Sequence, residues 1–329
     1  MGRYAILSDI HANLAALQTV SGDLATRQVD AIYCLGDFVV YGPRPRECMA
    51  LAYAMLAEPN RAADFAQMDD AEIQKLVAEF DSGENHANWT SRAVMGNNDY
   101  AIAQNQEGEH VVDDWLAQMN LTDSTLTGQD GDRERRISAT QSSHNWTKGI
   151  LSQHERARLG QLATSPIFLS DDVMLVHASP CEAIGKEGDY LREERDAEEA
   201  LVCLGKITRP VQICFVGHTH RALAFQETTN GRVYDNVSKT NYAGIKNIPT
   251  LLPIGAQRLI VNPGSVGQPR DGDRRAAYAI YDDAQSRIEF YRVEYDIERT
   301  IRDLEAVANS NSELQNVKQE MGARLREGR

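Results

Sequence analysis

Seven side chains of metal-accepting type stand at the ends of short apolar runs: Asp9 and His11 in SDIH, Asp37 in GDF, Asn97 in GNND, His177 in LVHAS, and His218 and His220 in GHTH. Carboxylate, imidazole and amide oxygen are the donors that hard-to-borderline divalent cations accept. A lone Asp-x-His is common by chance, and a single histidine at a strand end is more often structural than a ligand. The joint occurrence of these segments, each following an apolar run, points to one hydrolytic centre with two divalent ions. Two such ions about 3.5–4 Å apart activate a bridging water, clamp phosphoryl oxygens and neutralise a leaving oxygen. If the group attacked is phosphoryl, the expected reaction is in-line attack by a metal-bound hydroxide, with no phospho-enzyme.

The elements that must position these groups are brief. Tyr4 to Leu7, Ala31 to Leu35, Ala93 to Met95, Val173 to Val176 and Val211 to Val216 have the length of buried parallel strands, and the carboxyl ends of such strands converge on one edge of a sheet. Side chains two apart in an extended segment point the same way. Asp9 with His11, and His218 with His220, are therefore expected to chelate as pairs. Asn13 is placed to cap a helix in which Leu14, Leu17, Val20 and Leu24 recur at helical spacing. After GHTH, the runs Leu223 to Glu227, Leu259 to Val261, Ala277 to Tyr281 and Arg287 to Glu294 suit a second, largely antiparallel set of strands.

From Tyr4 to about Asp296 the chain resembles the calcineurin-like metallophosphoesterase superfamily, which carries this motif set. GDFVVYGP at 36–43 and NPGSVGQPRDG at 262–272 are similar to its bacterial and archaeal branch of small phosphodiesterase-type members. The resemblance implies an α/β fold, a four-layer αββα sandwich of two mixed sheets flanked by helices. It also implies that Asp9, His11, Asp37 and His220 hold one metal, that Asp37, Asn97, His177 and His218 hold the other, and that Asp37 bridges them. Many superfamily phosphatases carry a histidine where this chain has Asn98, and that histidine protonates the leaving group or steadies the phosphate. An amide donates a hydrogen bond but is no general acid near neutral pH, so Asn98, the second catalytic candidate beside Asp37, narrows the chemistry towards phosphodiesters and activated monoesters.

Candidate substrate contacts are Asn97, Arg221 directly after GHTH, and Arg270 after the NPGS segment, although an arginine beside a strand end is commonly a solvated charge. NPGS reads equally as a pocket wall or as turn chemistry at a strand exit, and Gly264 is expected to supply an unusual backbone angle in either case. Tyr41 and Gly42 shape the loop after Asp37 or touch substrate. His86, His110, His144 and His154 lie in polar or helical stretches and are assigned no chemistry.

The whole chain, 1–329, reads as a single domain of ordinary globular composition, 42% hydrophobic and 25% charged. A formal net charge of −14 argues against broad nucleic-acid or anionic-membrane binding; a small phosphorylated substrate remains compatible, because metals reverse the sign locally. Five cysteines without a C-x-x-C pair suggest free thiols and a reducing cytoplasm, and the immediate first strand leaves no room for a signal peptide. Mn²⁺ is the expected metal, with Fe²⁺, Zn²⁺ and Ni²⁺ compatible with the same donors.

Two excursions, 58–92 and 100–166, are expected to form helical cap insertions near the metal edge or merely to cover a sheet face. Within the second, Asn120 to Ser143 has almost no large apolar residues and reads as exposed loop or disorder. Ser152 and Glu155 make a capping box for a helix to Ala163. Residues 297–329 form a helix and a charged tail. The functional reading is a metal-dependent phosphoesterase acting on a phosphodiester or small phosphorylated metabolite. The alternatives are a phosphoprotein phosphatase, which needs an open groove, and a non-catalytic scaffold on the same fold, which needs no such ligand set.

Overall fold

The computed structural model describes residues 2–56, 71, 74–75, 78, 92–103, 130–184, 190–227, 233–235 and 250–329. The strands are β1 (Arg3–Leu7), β2 (Ala31–Cys34), β3 (Ile167–Phe168), β4 (Val173–Leu175), β5 (Ile213–Phe215), β6 (Ala222–Glu227), β7 (Val233–Asp235), β8 (Thr250–Pro253), β9 (Leu259–Pro263), β10 (Ala276–Asp282) and β11 (Arg287–Val293). They form a five-stranded sheet, β2-β1-β10-β11-β8, and a six-stranded sheet, β3-β4-β5-β9-β6-β7. Both are mixed: β1–β2, β4–β5 and β5–β9 run parallel, whereas β10 is antiparallel to β1 and β11, and β6 is antiparallel to β9. The later strands thus do not make a separate sheet, as their position after GHTH suggested. They divide between the two, because β10 pairs with the N-terminal strand while β9 pairs with β5.

Period-two alternation decides which residues meet. Ile6, Ala279 and Tyr281 from one sheet and Val173, Leu175, Phe215 and Val261 from the other form the apolar layer between the sheets. Ala5, Leu7, Tyr278 and Ile280 face the opposite way. There they meet α1 (Leu14–Leu24), α2 (Pro45–Met55), α7 (Ile297–Ser310) and α8 (Gln315–Glu327), where α7 and α8 are joined by a short 3₁₀ turn at Ser312–Leu314. On the outer face of the six-stranded sheet, Met174, Cys214 and Ile260 pack on α6 (Glu194–Leu204). The order of layers is therefore helix, sheet, sheet, helix. Asn13 caps α1 by accepting from Ala16 N at 3.2 Å.

The remaining helices are α3 (Asn97–Ala103), α4 (Asp130–Ile150) and α5 (Gln153–Leu159). α5 begins with the expected reciprocal box: Ser152 Oγ accepts from Glu155 N at 3.2 Å and Glu155 Oε2 from Ser152 N at 2.7 Å. Residues 130–143, expected as exposed loop, are helical instead. The buried residues of α4 are Ala139, Ser143, His144 and Thr147, small or polar, so a search for large apolar residues passes over them. Residues 58–92 lie almost entirely outside the described residues, as do 104–129 of the second excursion.

The cysteines require a second correction. Cys181, in a 3₁₀ turn at Pro180–Ile184, and Cys203 of α6 are disulfide-bonded with their Cα atoms 5.1 Å apart. Pairing across 22 residues leaves no short sequence signature, and the argument from free thiols to a reducing compartment fails at this pair. Cys34, Cys48 and Cys214 are free and buried. Among the described residues no helix is long and apolar enough to cross a membrane.

Candidate metal centre

Three of the ligand-bearing turns, those of SDIH, GDF and GHTH, leave their strands through left-handed backbone. Asp9, His11, Asp37, His218 and His220 have φ of 54°, 48°, 57°, 65° and 58°, and the loop after Asp37 continues with Val40 at 72° and Tyr41 at 68°. Non-glycine residues in this region each cost on the order of 1–3 kcal/mol and persist only where the surroundings over-determine them. Here backbone bonds tie the turns to one another: Asp9 N to Gly36 O at 3.0 Å, His11 N to Asp37 O at 2.9 Å, and Gly217 N to His177 O at 2.6 Å. Asn262 Nδ2 reaches Gly217 O at 2.6 Å and Ser265 Oγ reaches Asp9 O at 2.7 Å. The NPGS segment is therefore a brace joining the SDIH and GHTH turns, and Gly264 does adopt a positive φ, 84°. Gly96 is required by close approach, since a Cβ there would collide with Asp37.

The turns assemble two buried groups, Asp9 with His11 and His220, and Asp37 with His177 and His218. His218 and His220 fall in different groups, the division the family resemblance implied; the pairing expected from an extended segment fails for them and holds for Asp9 and His11. Asp37 lies between the halves, with Oδ2 at 3.8 Å from His11 Nε2 and 3.5 Å from His177 Nε2. Asn97 places Oδ1 at 2.8 Å from His177 Nε2.

The donor atoms suit cations. His11, His177 and His220 each direct Nδ1 at a backbone carbonyl, Val39 O at 3.3 Å, Leu35 O at 2.6 Å and Gln268 O at 2.7 Å. A carbonyl only accepts, so the Nδ1 atoms carry protons; on His11 and His220 the Nε2 lone pairs face the centre, whereas His177 Nε2 donates to Asn97 Oδ1 and that ring holds both protons. His11 Nε2 and His220 Nε2 then stand 2.9 Å apart, lone pair against lone pair, an arrangement that calls for a cation. Asp9 Oδ1 and His218 Nε2 are buried without a hydrogen-bond partner, as expected of atoms that serve a metal.

Burial governs the charges. It pushes Asp9 up to about 7, assisted by the Asp37 charge, and it lowers His11 to about 3 and His218 and His220 well below the ordinary imidazole range. Those three are therefore neutral, the form a metal binds. Burial opposes charge on His177 too, but Asp37 and Asp9 outweigh it and raise that imidazole to about 9. Asp37 feels the burial penalty as well, yet the His177 charge and the hydrogen bond from Asn98 hold it below the usual carboxylate range.

Of the remaining candidates, Asn98 is buried and turned towards Asp37: Nδ2 donates to Oδ2 at 2.6 Å and its backbone N to Oδ1 at 2.8 Å. Arg270 is half-buried beside the centre, where its charge bears on Asp9, His11, His218 and His220. Its backbone N donates to His220 O at 3.0 Å. Arg221 is half-buried just before β6, and among the described residues no hydrogen bond or ion pair ties its side chain to the ligand groups.

Several contributors were not among the predicted ligands. Asp99 accepts from Asp37 N at 2.7 Å and Phe38 N at 2.9 Å, which fixes the turn that presents Asp37. The Tyr41 ring stands edge-on to His11 at 4.8 Å, and Tyr41 N donates to Ser143 Oγ of α4 at 2.7 Å. Tyr190 lies against His218 at 4.0 Å, with the Arg192 guanidinium 4.1 Å from the tyrosine ring centroid. Asp99 was visible as the last letter of GNND; Tyr190 and Arg192 belong to no motif and reach the site only through tertiary packing.

Comparisons with known proteins agree with this geometry. An uncharacterised protein of Methanocaldococcus jannaschii is 26% identical over 305 residues, covering 90% of this chain and 88% of its own. The crystal structure of a metallophosphoesterase from Sphaerobacter thermophilus is similar with a TM-score of 0.65 and 27% identity, covering 100% of this chain and 99% of that one. A hypothetical protein of Pyrococcus horikoshii shares the fold at a TM-score of 0.58 and 16% identity, over 98% of both chains. The profile of the calcineurin-like phosphoesterases matches residues 2–222, more than half of the chain, and this protein belongs to that family.

Proposed function

We propose that this protein is a dinuclear metal-dependent hydrolase of a phosphodiester or a small phosphorylated metabolite. Asp9, His11, Asp37 and His220 would hold one ion and Asp37, Asn97, His177 and His218 the other, with Mn²⁺ the metal best matched to oxygen and imidazole donors without thiolate. When bound, the two ions supply an activated water and neutralise phosphoryl charge. The observation that carries the reading is the facing pair of Nε2 atoms on His11 and His220, 2.9 Å apart with both Nδ1 protons committed elsewhere. A scaffold has no use for that arrangement, since opposed lone pairs destabilise a fold with no cation to serve.

The chain's own part is positioning. Backbone carbonyls set the imidazole tautomers, Asp99 fixes the turn bearing Asp37, and Asn98 holds both Asp37 oxygens. With Asn98 so engaged and no histidine in its place, no general acid is available there, which favours diesters and activated monoesters with good leaving groups. Arg270 supplies positive charge for the phosphoryl oxygens. The test is turnover of paired aryl phosphate mono- and diesters by metal-stripped protein before and after Mn²⁺ is restored, with Asp37→Asn as control. Diester hydrolysis that needs both metal and Asp37 supports the reading. No metal-dependent turnover of either ester, with fewer than two ions bound, overturns it.

A further inference from the structure

The C-terminal helix, which sequence patterning left as a charged tail, reaches the edge of the metal centre. Gln268 makes the link. Its backbone oxygen orients His220, its Oε1 accepts from Arg270 Nη2 at 2.6 Å, and its Nε2 lies 2.7 Å from Met321 Sδ of α8. Arg324 is three residues beyond Met321 and so shares its helix face. Gly272 N also donates to Gly328 O at 2.8 Å, fastening the Arg270 loop to the end of α8.

Two guanidiniums are thereby brought together on the His11/His220 side. Arg270 Nε is buried without a hydrogen-bond partner. The Arg324 side chain retains 19% of its exposure and pairs with Glu320 at 2.8 Å, but Glu320 is also 3.4 Å from Arg136 of α4 and divides its charge between two cations. Burial and the neighbouring Arg270 charge lower the Arg324 pKa against the opposing pull of Glu320. Planar guanidinium forks match the oxygens of a phosphoryl group and bind it in bidentate fashion.

We infer that Arg270 and Arg324 form a subsite for a second phosphoryl group of the substrate, and that α8 is part of the active site. This deepens the phosphoesterase reading and rests on it for the word substrate. A carboxylate brings one charge to two cations, whereas a phosphoryl group brings up to two and leaves the cluster balanced. The natural substrate then carries at least one phosphate besides the scissile one.

Calorimetric titration of the Mn²⁺-loaded full chain with orthophosphate and with pyrophosphate tests this, with metal content checked afterwards. Pyrophosphate is expected to bind about tenfold tighter than orthophosphate, the scale of one charge-assisted contact. Arg324→Gln should remove that advantage while leaving orthophosphate affinity within about twofold, and Arg324→Lys should restore part of it. Glu320→Gln, which frees the Arg324 guanidinium, should shift pyrophosphate affinity in the opposite direction, so that a folding defect cannot imitate the whole pattern. Equal affinity for the two anions in the wild type, or an undiminished preference in Arg324→Gln, overturns the subsite. Since the titration reads anion binding alone, it stands even if no ester is turned over; turnover without anion preference overturns the subsite and leaves the hydrolase reading intact.

Discussion

The two halves of the metal centre use similar ligands but have different neighbours. Behind Asp9, His11 and His220 lie Arg270 and, one step further out, Arg324 of the C-terminal helix, with Tyr41 edge-on to His11. Against His218 in the other half lies the ring of Tyr190, itself covered by Arg192. One flank presents guanidiniums with hydrogen-bonding capacity to spare, and the other presents an aromatic ring already sandwiched. On the proposed reading the ligand sets serve the ions, while the first flank would receive extra negative charge and the second an apolar or planar leaving group.

Asp37 belongs to both halves, so its loss should have the largest effect. Asp37→Asn is expected to release at least one ion and to cut diester turnover by at least about a hundredfold while the fold persists, read by elemental analysis, circular dichroism and kinetics. Full metal content with normal turnover would remove Asp37 from the centre. Next come His11→Asn and His177→Asn, each expected to lower metal content from two ions towards one. Loss of both ions from either variant would mean that the halves do not load separately, and the contrast between them would collapse.

Asn98→His bears on both halves through Asp37. It should raise the ratio of monoester to diester turnover several-fold, well below the roughly hundredfold or more of a fully aligned general acid. An unchanged ratio would show that position 98 only braces Asp37. Tyr190→Ala strips the aromatic flank, and about a threefold rise in KM for aryl diesters with kcat nearly constant is expected from one lost aromatic contact. A larger loss in kcat would mean that Tyr190 positions His218. Smallest is Ser152→Ala in the α5 capping box, far from both flanks, which should cost about 1 kcal/mol in denaturant unfolding and leave turnover unchanged.

Legibility in the sequence followed the range of the interaction. Local signals were reliable: Asn13 capping α1, the Ser152–Glu155 box and the apolar runs that became β1, β4, β9 and β10 each depend on a few neighbouring residues. Helix α4 was missed because its buried residues, Ala139, Ser143, His144 and Thr147, are small or polar, and make sense only against Tyr41 and α8. The Cys181–Cys203 bond was missed for the same reason, since it depends on how α6 meets the turn after His177.

Residue types and their places at strand ends were enough to specify a metal-dependent centre on an αββα frame, because donor chemistry is intrinsic to a side chain and strand length to a short run. Which donors gather in which buried group is set by tertiary structure. Left-handed backbone at Asp9, His11, Asp37, His218 and His220 departs from the two-residue alternation that sequence reasoning relies on, and cross-strand hydrogen bonds hold that backbone in place. The same is true of Arg324: a charge in a terminal helix has no address in the sequence, and acquires one only when Gln268 and Met321 seat that helix against the metal edge.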